Sequence, residues 1–278
     1  MIKTISIVGC GWFGFPLAKA LKNLNLEVFG SKRNSQDALG LKAFGIRGFK
    51  LDLDDDVHLQ ESEAEIKAAL ATDALVVNIP PALRKAPEAY LKRLAKLQKL
   101  INGHKYKKLI FVSTTGVYPD QDKELSEHEA AAHSDVSNKL LQAEAMFVNE
   151  PNCTIVRFAG LVGPKRHPGR FLAGKSDLSG ENSAVNLVHL NDCVKAISAL
   201  LSTESTSRIY NVCAPIHPSR KAFYTQAASN IGLIAPQFLN DGNCQSRVSG
   251  KVISSEKLIT ELDFTYQFSD PMDMLSAC

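Results

Sequence analysis

The sequence predicts an α/β protein built on a doubly wound parallel sheet, with a smaller lobe at the carboxyl-terminal end. Three observations carry this. Short apolar runs alternate with segments of helical period through the first two-thirds of the chain. The runs are nearly continuous in Val, Ile, Leu and Phe, as in parallel strands covered on both faces. The first run ends at Gly9, followed by Gly11, Gly14 and an apolar pattern of helical period. That spacing fits a strand, a tight turn and a helix.

The strands are expected at "TISIVG", "LEVFGS", "GFKLDL", "ALVVNIP", "KLIFVST" and "CTIVRFAG". Pro16 suits the first turn of a helix, where its missing donor has no partner to lose. In "PEAYLKRLAKLQKLINGH", Leu91, Leu94, Leu97 and Ile101 share a face, and Gly103 supplies a stop signal. Lys92, Arg93, Lys96 and Lys99 lie elsewhere on that helix and read as a solvated face. In "SDVSNKLLQAEAMF", Val136, Leu140, Ala143 and Phe147 form an expected buried stripe, with Ser134 or Asp135 as N-cap. Beyond residue 160 the pattern grows irregular and richer in Gly, Pro and basic residues. Residues 1–160 are therefore assigned to the nucleotide-binding domain, with a strand and helix returning around 185–215. Residues 161–184 and 216–278 are assigned to the lobe.

With 278 residues, 45% hydrophobic and 22% charged, the chain can bury a large core. A net charge of +3 is too small to suggest nucleic acid or a membrane surface as partner. Cys10, Cys153, Cys193, Cys213, Cys244 and Cys278 show no C-x-x-C or zinc spacing, and the seven histidines show no metal spacing. No metal is expected. No apolar stretch approaches the roughly 20 residues that span a bilayer, and "MIKTISIVG" runs straight into a strand. A cytoplasmic protein is expected, and a homodimer is compatible with all of this.

The glycines are what give the chain a candidate chemistry. The first makes the turn, the second lets backbone approach a pyrophosphate, and the third permits close helix–strand packing. The helix N-terminus beyond them attracts phosphate. Gly9, Gly11, Trp12, Phe13 and Gly14 are accordingly candidate cofactor-binding residues; the alternative is a tight β–α turn without ligand. At the end of the second strand stand Ser31, Lys32 and Arg33, whereas Glu27 comes too early to bind a ribose 2′-hydroxyl. Two cations and no carboxylate favour NADP(H), with NAD(H) remaining as second choice. An ordinary basic turn is the plain alternative.

"GCGWFGFPLA", "STTGVYPD", "VRFAGLVGPKRHPGRFLAGK", "VNLVHLNDCVKAI" and "IYNVCAPIHPSRKAFY" together resemble the extended short-chain dehydrogenases, and within them the atypical YeeZ-like branch. The resemblance also covers "SSEKLITELDF" and hence nearly the whole chain. It implies a Rossmann domain with a small substrate lobe, in a group of epimerase and dehydratase relatives. It also implies that Asp52 and Leu53 lie beside the adenine and that Asn78 to Pro81 border the cofactor. Ser113 joins the cofactor-binding set, Thr114 matches the catalytic Ser/Thr, and Tyr118 is a packing position.

Active relatives carry Tyr-x-x-x-Lys on the next helix, where a lysine lowers the phenol pKa and the tyrosine moves the proton. Here Lys139 is the candidate lysine, with Asp135 four residues earlier; aligning Glu144 with the family's glutamate instead puts Val136 in the tyrosine's place. Neither register supplies a tyrosine. Relatives bind nucleotide-sugar phosphates at the loop matching "GPKRHPGR". Arg166, His167 and Arg170, with Lys165 beside them, are thus candidate substrate residues, expected to meet an anionic substrate and not the cofactor. A solvated basic loop is the alternative, and His189 reads as structural. Two functions remain: an NADP(H)-binding oxidoreductase or epimerase for a small anionic substrate such as a nucleotide sugar, or a non-catalytic dinucleotide sensor.

Overall fold

Seven parallel strands follow from the six apolar runs and one later addition. They are β1 (Thr4–Val8), β2 (Glu27–Lys32), β3 (Arg47–Lys50), β4 (Ala74–Val77), β5 (Lys108–Thr114), β6 (Cys153–Phe158) and β7 (Ile209–Val212). In space their order is β3-β2-β1-β4-β5-β6-β7, each pair parallel. The computed structural model describes residues 1–83, 87–203, 207–239 and 248–278. Cys244 lies outside them.

The helices that matter for the site are α1 (Gly14–Asn23), α2 (Ser35–Gly40), α3 (Asp56–Glu61), α4 (Glu63–Leu70), α5 (Pro87–Ile101), α6 (Asp135–Val148), α7 (Gly169–Leu172) and α8 (Leu190–Ser202). β4 is buried along its whole length, as a central strand with helices on both faces must be. Leu17 and Leu21 of α1 and Leu94 and Leu97 of α5 close over the sheet. β3 is shorter than its apolar run, ending at Lys50. Leu51 and Leu53 leave the sheet but stay buried.

Strand order reverses direction between β1 and β4. Parallel sheets open a crevice beyond the carboxyl ends of the strands at such a point. Gly9 and Asn78, the residues following β1 and β4, stand there. Beyond β6, a short parallel pair joins Gly160–Val162 to Leu187–His189. A second apolar cluster forms around Val162, Val185, Leu187, Phe223, Ala227 and Met274. Among the described residues no helix is long and apolar enough to cross a membrane.

Candidate functional site

Each glycine of the first turn meets a different constraint. Gly9 has φ +93°, and a Cβ there would lie 2.1 Å from the Asn78 carbonyl oxygen. A Cβ on Gly14 would lie 2.4 Å from the Gly9 oxygen and 3.2 Å from Ile7 on the sheet. Gly11 faces open space, with nothing within 4 Å of a Cβ. The first and third glycines therefore serve the fold, and the second leaves room for a ligand. Side chains hold the turn from both sides. The Gly9 N–H donates to Ser31 Oγ (2.9 Å), and Asn78 Nδ2 donates to the Gly9 oxygen (3.0 Å). The N-terminus of α1 carries no side-chain cap and no acidic residue in its first turn, so its amides favour an anion.

Two side chains, one in this turn and one at the end of β2, differ from expectation. Phe13 is buried, packed edge-on against Phe158 at 5.1 Å, so its ring belongs to the core. Ser31 is buried as well, its hydroxyl turned to Gly9 and not out to a cofactor phosphate. Burial also pushes the Cys10 thiol up to about 11, against the pull of Lys32, which disfavours its thiolate.

Beside the turn, a cavity of about 310 Å³ is bordered by Lys32, Arg33, Asp52, Leu53, Asp54, Ile79 and Arg93. Arg33 is no free cation. It meets Asp52 at 3.2 Å and Asp54 at 2.8 Å, while Arg93 grips Asp54 with two bonds of 2.8 Å. The Arg93 hydrogen bond, aided by the charges of Arg93, Arg33 and Lys96, holds the Asp54 carboxyl below its ordinary range. Lys32 has no carboxylate partner among the described residues. Arg93 and Lys96 belong to the helix face expected to be solvated. Instead they clamp the loop after β3, Lys96 by pairing with Asp56 and donating to the Leu53 oxygen. Sequence reading missed Asp54 and Arg93; the run "LDLDDD" facing a basic helix was the available signal.

On the other side of β4, the end of β5 presents Ser113 and Thr114. Thr114 is half-buried, its hydroxyl accepting from the Gly116 N–H at 3.3 Å. Ser113 is buried and donates to Glu144 Oε1 at 2.5 Å. Glu144 is gripped by Arg157 through bonds of 3.0 and 2.7 Å, with both side chains buried. Arg157 also donates to the Tyr118 hydroxyl and the Glu127 oxygen, each at 2.8 Å, and Tyr118 donates to Asn211 at 2.7 Å. Burial raises the Tyr118 pKa despite the opposing Arg157 charge, so Tyr118 is structural.

This buried network settles the rotation of α6. Glu144 faces inward, and so does Leu140 one turn earlier, beside Gly116. Val136, a further turn back, is 48% exposed and not part of the buried stripe, where Ser137 replaces it. Lys139 turns away to pair with Glu88 of α5. The register that buries Glu144 puts Val136 and Leu140 at the positions where the resemblance implies a tyrosine and a lysine.

The basic loop splits three ways. The Arg166 guanidinium lies over the Trp12 ring at 5.3 Å, and Trp12 Nε1 donates to the Pro164 oxygen at 2.9 Å. Arg166 thus stands on the glycine turn, contrary to its expected place with the substrate residues. His167 is buried, with Nδ1 accepting from the Gly169 N–H at 3.1 Å, and its Nε2 has no partner among the described residues. Arg170 is exposed on α7. His189 caps α8 by accepting from the Asn191 N–H, the structural role expected of it.

No protein-family model matches the chain. Protein YeeZ of Escherichia coli K12 is 38% identical over 280 residues, covering 98% of this chain and 99% of that protein. The chain belongs to the YeeZ family. Solved structures share its fold at low identity. One is MoeE5 in complex with UDP-glucose and NAD (TM-score 0.74, 17% identical, 99% of this chain and 96% of that one). A second is UDP-glucuronic acid 4-epimerase from Bacillus cereus in complex with UDP-glucuronic acid and NAD (0.73, 17%, 99% and 97%). A third is dTDP-glucose 4,6-dehydratase from Bacillus anthracis in complex with NAD (0.73, 15%, 98% and 95%).

In this YeeZ-family chain the described cleft offers an uncapped helix N-terminus, cations and a threonine hydroxyl, but no tyrosine on α6. A larger cavity of about 570 Å³ lies at the opposite, amino end of the strands, lined by Met1, Ile2, Leu21, Leu24 and Lys107. Lys107 there is already paired with Asp73, so the carboxyl-end cleft remains the candidate.

Proposed function

We propose that this chain binds NADP(H), with NAD(H) as weaker ligand, and is an oxidoreductase or epimerase for a small anionic substrate of the nucleotide-sugar kind. The observation that carries the reading is the open space at Gly11, at the switch point of the sheet, before an uncapped helix N-terminus. The turn amides would hold the cofactor's diphosphate, and the cavity between β2 and the loop after β3 suits its adenosine half. A bound nicotinamide supplies hydride transfer. Thr114 would hydrogen-bond the substrate's carbonyl or hydroxyl oxygen. Residues 161–184 and 216–278 are read as the substrate lobe.

Lys32 and Arg33 support the phosphate-bearing cofactor, but Asp52 and Asp54 compete for Arg33. Arg33→Ala is therefore expected to weaken NADPH by roughly tenfold, the low end for a charge-assisted contact at an exposed site, and to leave NADH nearly unchanged. Asp54→Asn removes a competing carboxylate and is expected to shift preference further toward NADPH. Calorimetric titration of both cofactors checks this; equal affinity for NADH and NADPH in the unmutated protein would refute the preference.

The register of α6 favours a second reading, the non-catalytic sensor. A positioned acid or base contributes roughly 10²–10⁴-fold, so without one the expected turnover falls that far below a typical 10 s⁻¹. The test is NADPH oxidation across nucleotide sugars and small aldehydes, together with C4 epimerisation of UDP-glucose and of UDP-glucuronic acid, with Thr114→Val alongside. Slow turnover lost in Thr114→Val supports the enzyme. Tight cofactor binding with no turnover across the panel supports the sensor.

A further inference from the structure

We infer that Arg166, carried on Trp12, is a diphosphate-binding strap of the cofactor site and not a substrate residue. The inference rests on the dinucleotide reading above. Four observations lead to it. Trp12 sits inside the turn between Gly11 and Phe13, so whatever holds its ring is fixed to the phosphate-binding backbone. The loop after β6 holds that ring twice, through the Pro164 oxygen on Nε1 and the Arg166 guanidinium on its face. The loop fits closely there: a Cβ on Gly163, where φ is +147°, would lie 3.4 Å from the indole and 3.0 Å from Leu190. Finally, a cavity of about 350 Å³ is bordered jointly by Gly11, Trp12, Lys32, Asn78, Leu161 and Arg166.

The geometry gives Arg166 a purpose. Its backbone N–H donates to the Gly163 oxygen at 2.9 Å, closing a tight turn whose tip, Lys165, adopts φ +65°. The guanidinium is thereby presented on a short, fixed arm across the mouth of the glycine turn. It has no carboxylate partner among the described residues, unlike Arg33. A planar fork of donors stacked on an indole suits a doubly charged diphosphate better than a flexible ammonium does. The turn amides would grip the diphosphate from the sheet side, and Arg166 from the lobe side. Release of the cofactor then requires the loop to lift, so the strap slows dissociation more than it speeds association.

The test compares the unmutated protein with Arg166→Gln and Trp12→Leu, using NADPH, NADH, ADP, adenosine and UDP-glucose as probes, by calorimetry and stopped-flow displacement. Arg166 is exposed, so Arg166→Gln is expected to fold normally by circular dichroism. The expected result is a loss of roughly tenfold for NADPH, NADH and ADP alike, mostly as faster release, with adenosine unchanged. Trp12→Leu is expected to act in the same direction without removing a charge. Unchanged ADP and NADPH binding in Arg166→Gln overturns the strap, as does a loss confined to UDP-glucose. If the unmutated protein binds neither NADPH nor NADH, the dinucleotide reading itself fails instead.

Discussion

Replacing Gly11 by valine is expected to abolish dinucleotide binding in a chain that still folds. Gly11 is not in the left-handed region, and a Cβ at this position meets no protein atom within 4 Å. A branched side chain is therefore tolerated by the turn, but it fills the space a diphosphate needs. Each charge-assisted hydrogen bond to phosphate contributes about 1.5–3 kcal/mol. Losing two of them costs roughly a hundredfold to ten-thousandfold in affinity. Gly14→Val is the contrasting control. Its Cβ would meet the Gly9 oxygen at 2.4 Å, so that variant should lose stability as well as ligand. Calorimetry with NADPH and thermal denaturation of both variants separate the two effects. Normal binding by Gly11→Val would mean that the three glycines only turn the chain.

How far the sequence could be read depended on whether a feature was local. Most strands of the central sheet appear as apolar runs because burial on both faces leaves few polar positions in them. The three glycine roles follow from spacing alone, since turn, approach and packing all lie within six residues. Side-chain partners across the fold were harder. Arg33 looked like an unpaired cation because Asp52 and Asp54 reach it from a loop, itself clamped by Arg93 on a helix, that sequence spacing does not join to it. Ser31 looked available to a phosphate, but its hydroxyl is taken by the Gly9 backbone.

The same limit governed α6 and the basic loop. The helix offered two registers, and Val136 fitted an apolar stripe in a helical projection. Only the partners of Glu144, namely Ser113 on β5 and Arg157 on β6, decide which face turns inward. Arg166, His167 and Arg170 fall within five residues and look in sequence like one anionic-substrate loop. A tight turn at Gly163–Arg166 sends the first to Trp12, and the second is buried, while the third is left in solvent. A run of basic residues records charge; it does not record direction.

Arg157→Met is expected to cause the largest loss of stability of any substitution near the site. Arg157 and Glu144 are 3% and 6% exposed, and Arg157 makes four hydrogen bonds, to Glu144, Tyr118 and Glu127. Methionine fills much of the volume but strands the Glu144 carboxylate in a site sealed from water. Breaking a buried pair from one side costs about 3–5 kcal/mol. At roughly 2–4 °C per kcal/mol for a chain of comparable size, the melting temperature should fall by roughly 6–20 °C. Removing both charges, in Arg157→Met with Glu144→Leu, leaves no stranded ion and should recover a good part of that loss. Ser113 would still lack its acceptor, and the Tyr118 hydroxyl and Glu127 oxygen a donor, so recovery should be incomplete. NADPH affinity should change little in either variant, because the glycine turn is held by Ser31 and Asn78 and not by this network. Differential scanning calorimetry of the two single variants and the double variant measures the coupling. A single Arg157→Met variant melting with the unmutated protein would show that the network does not hold α6 in its register, and with it would go the reason for placing Val136 and Leu140 where a proton relay was sought.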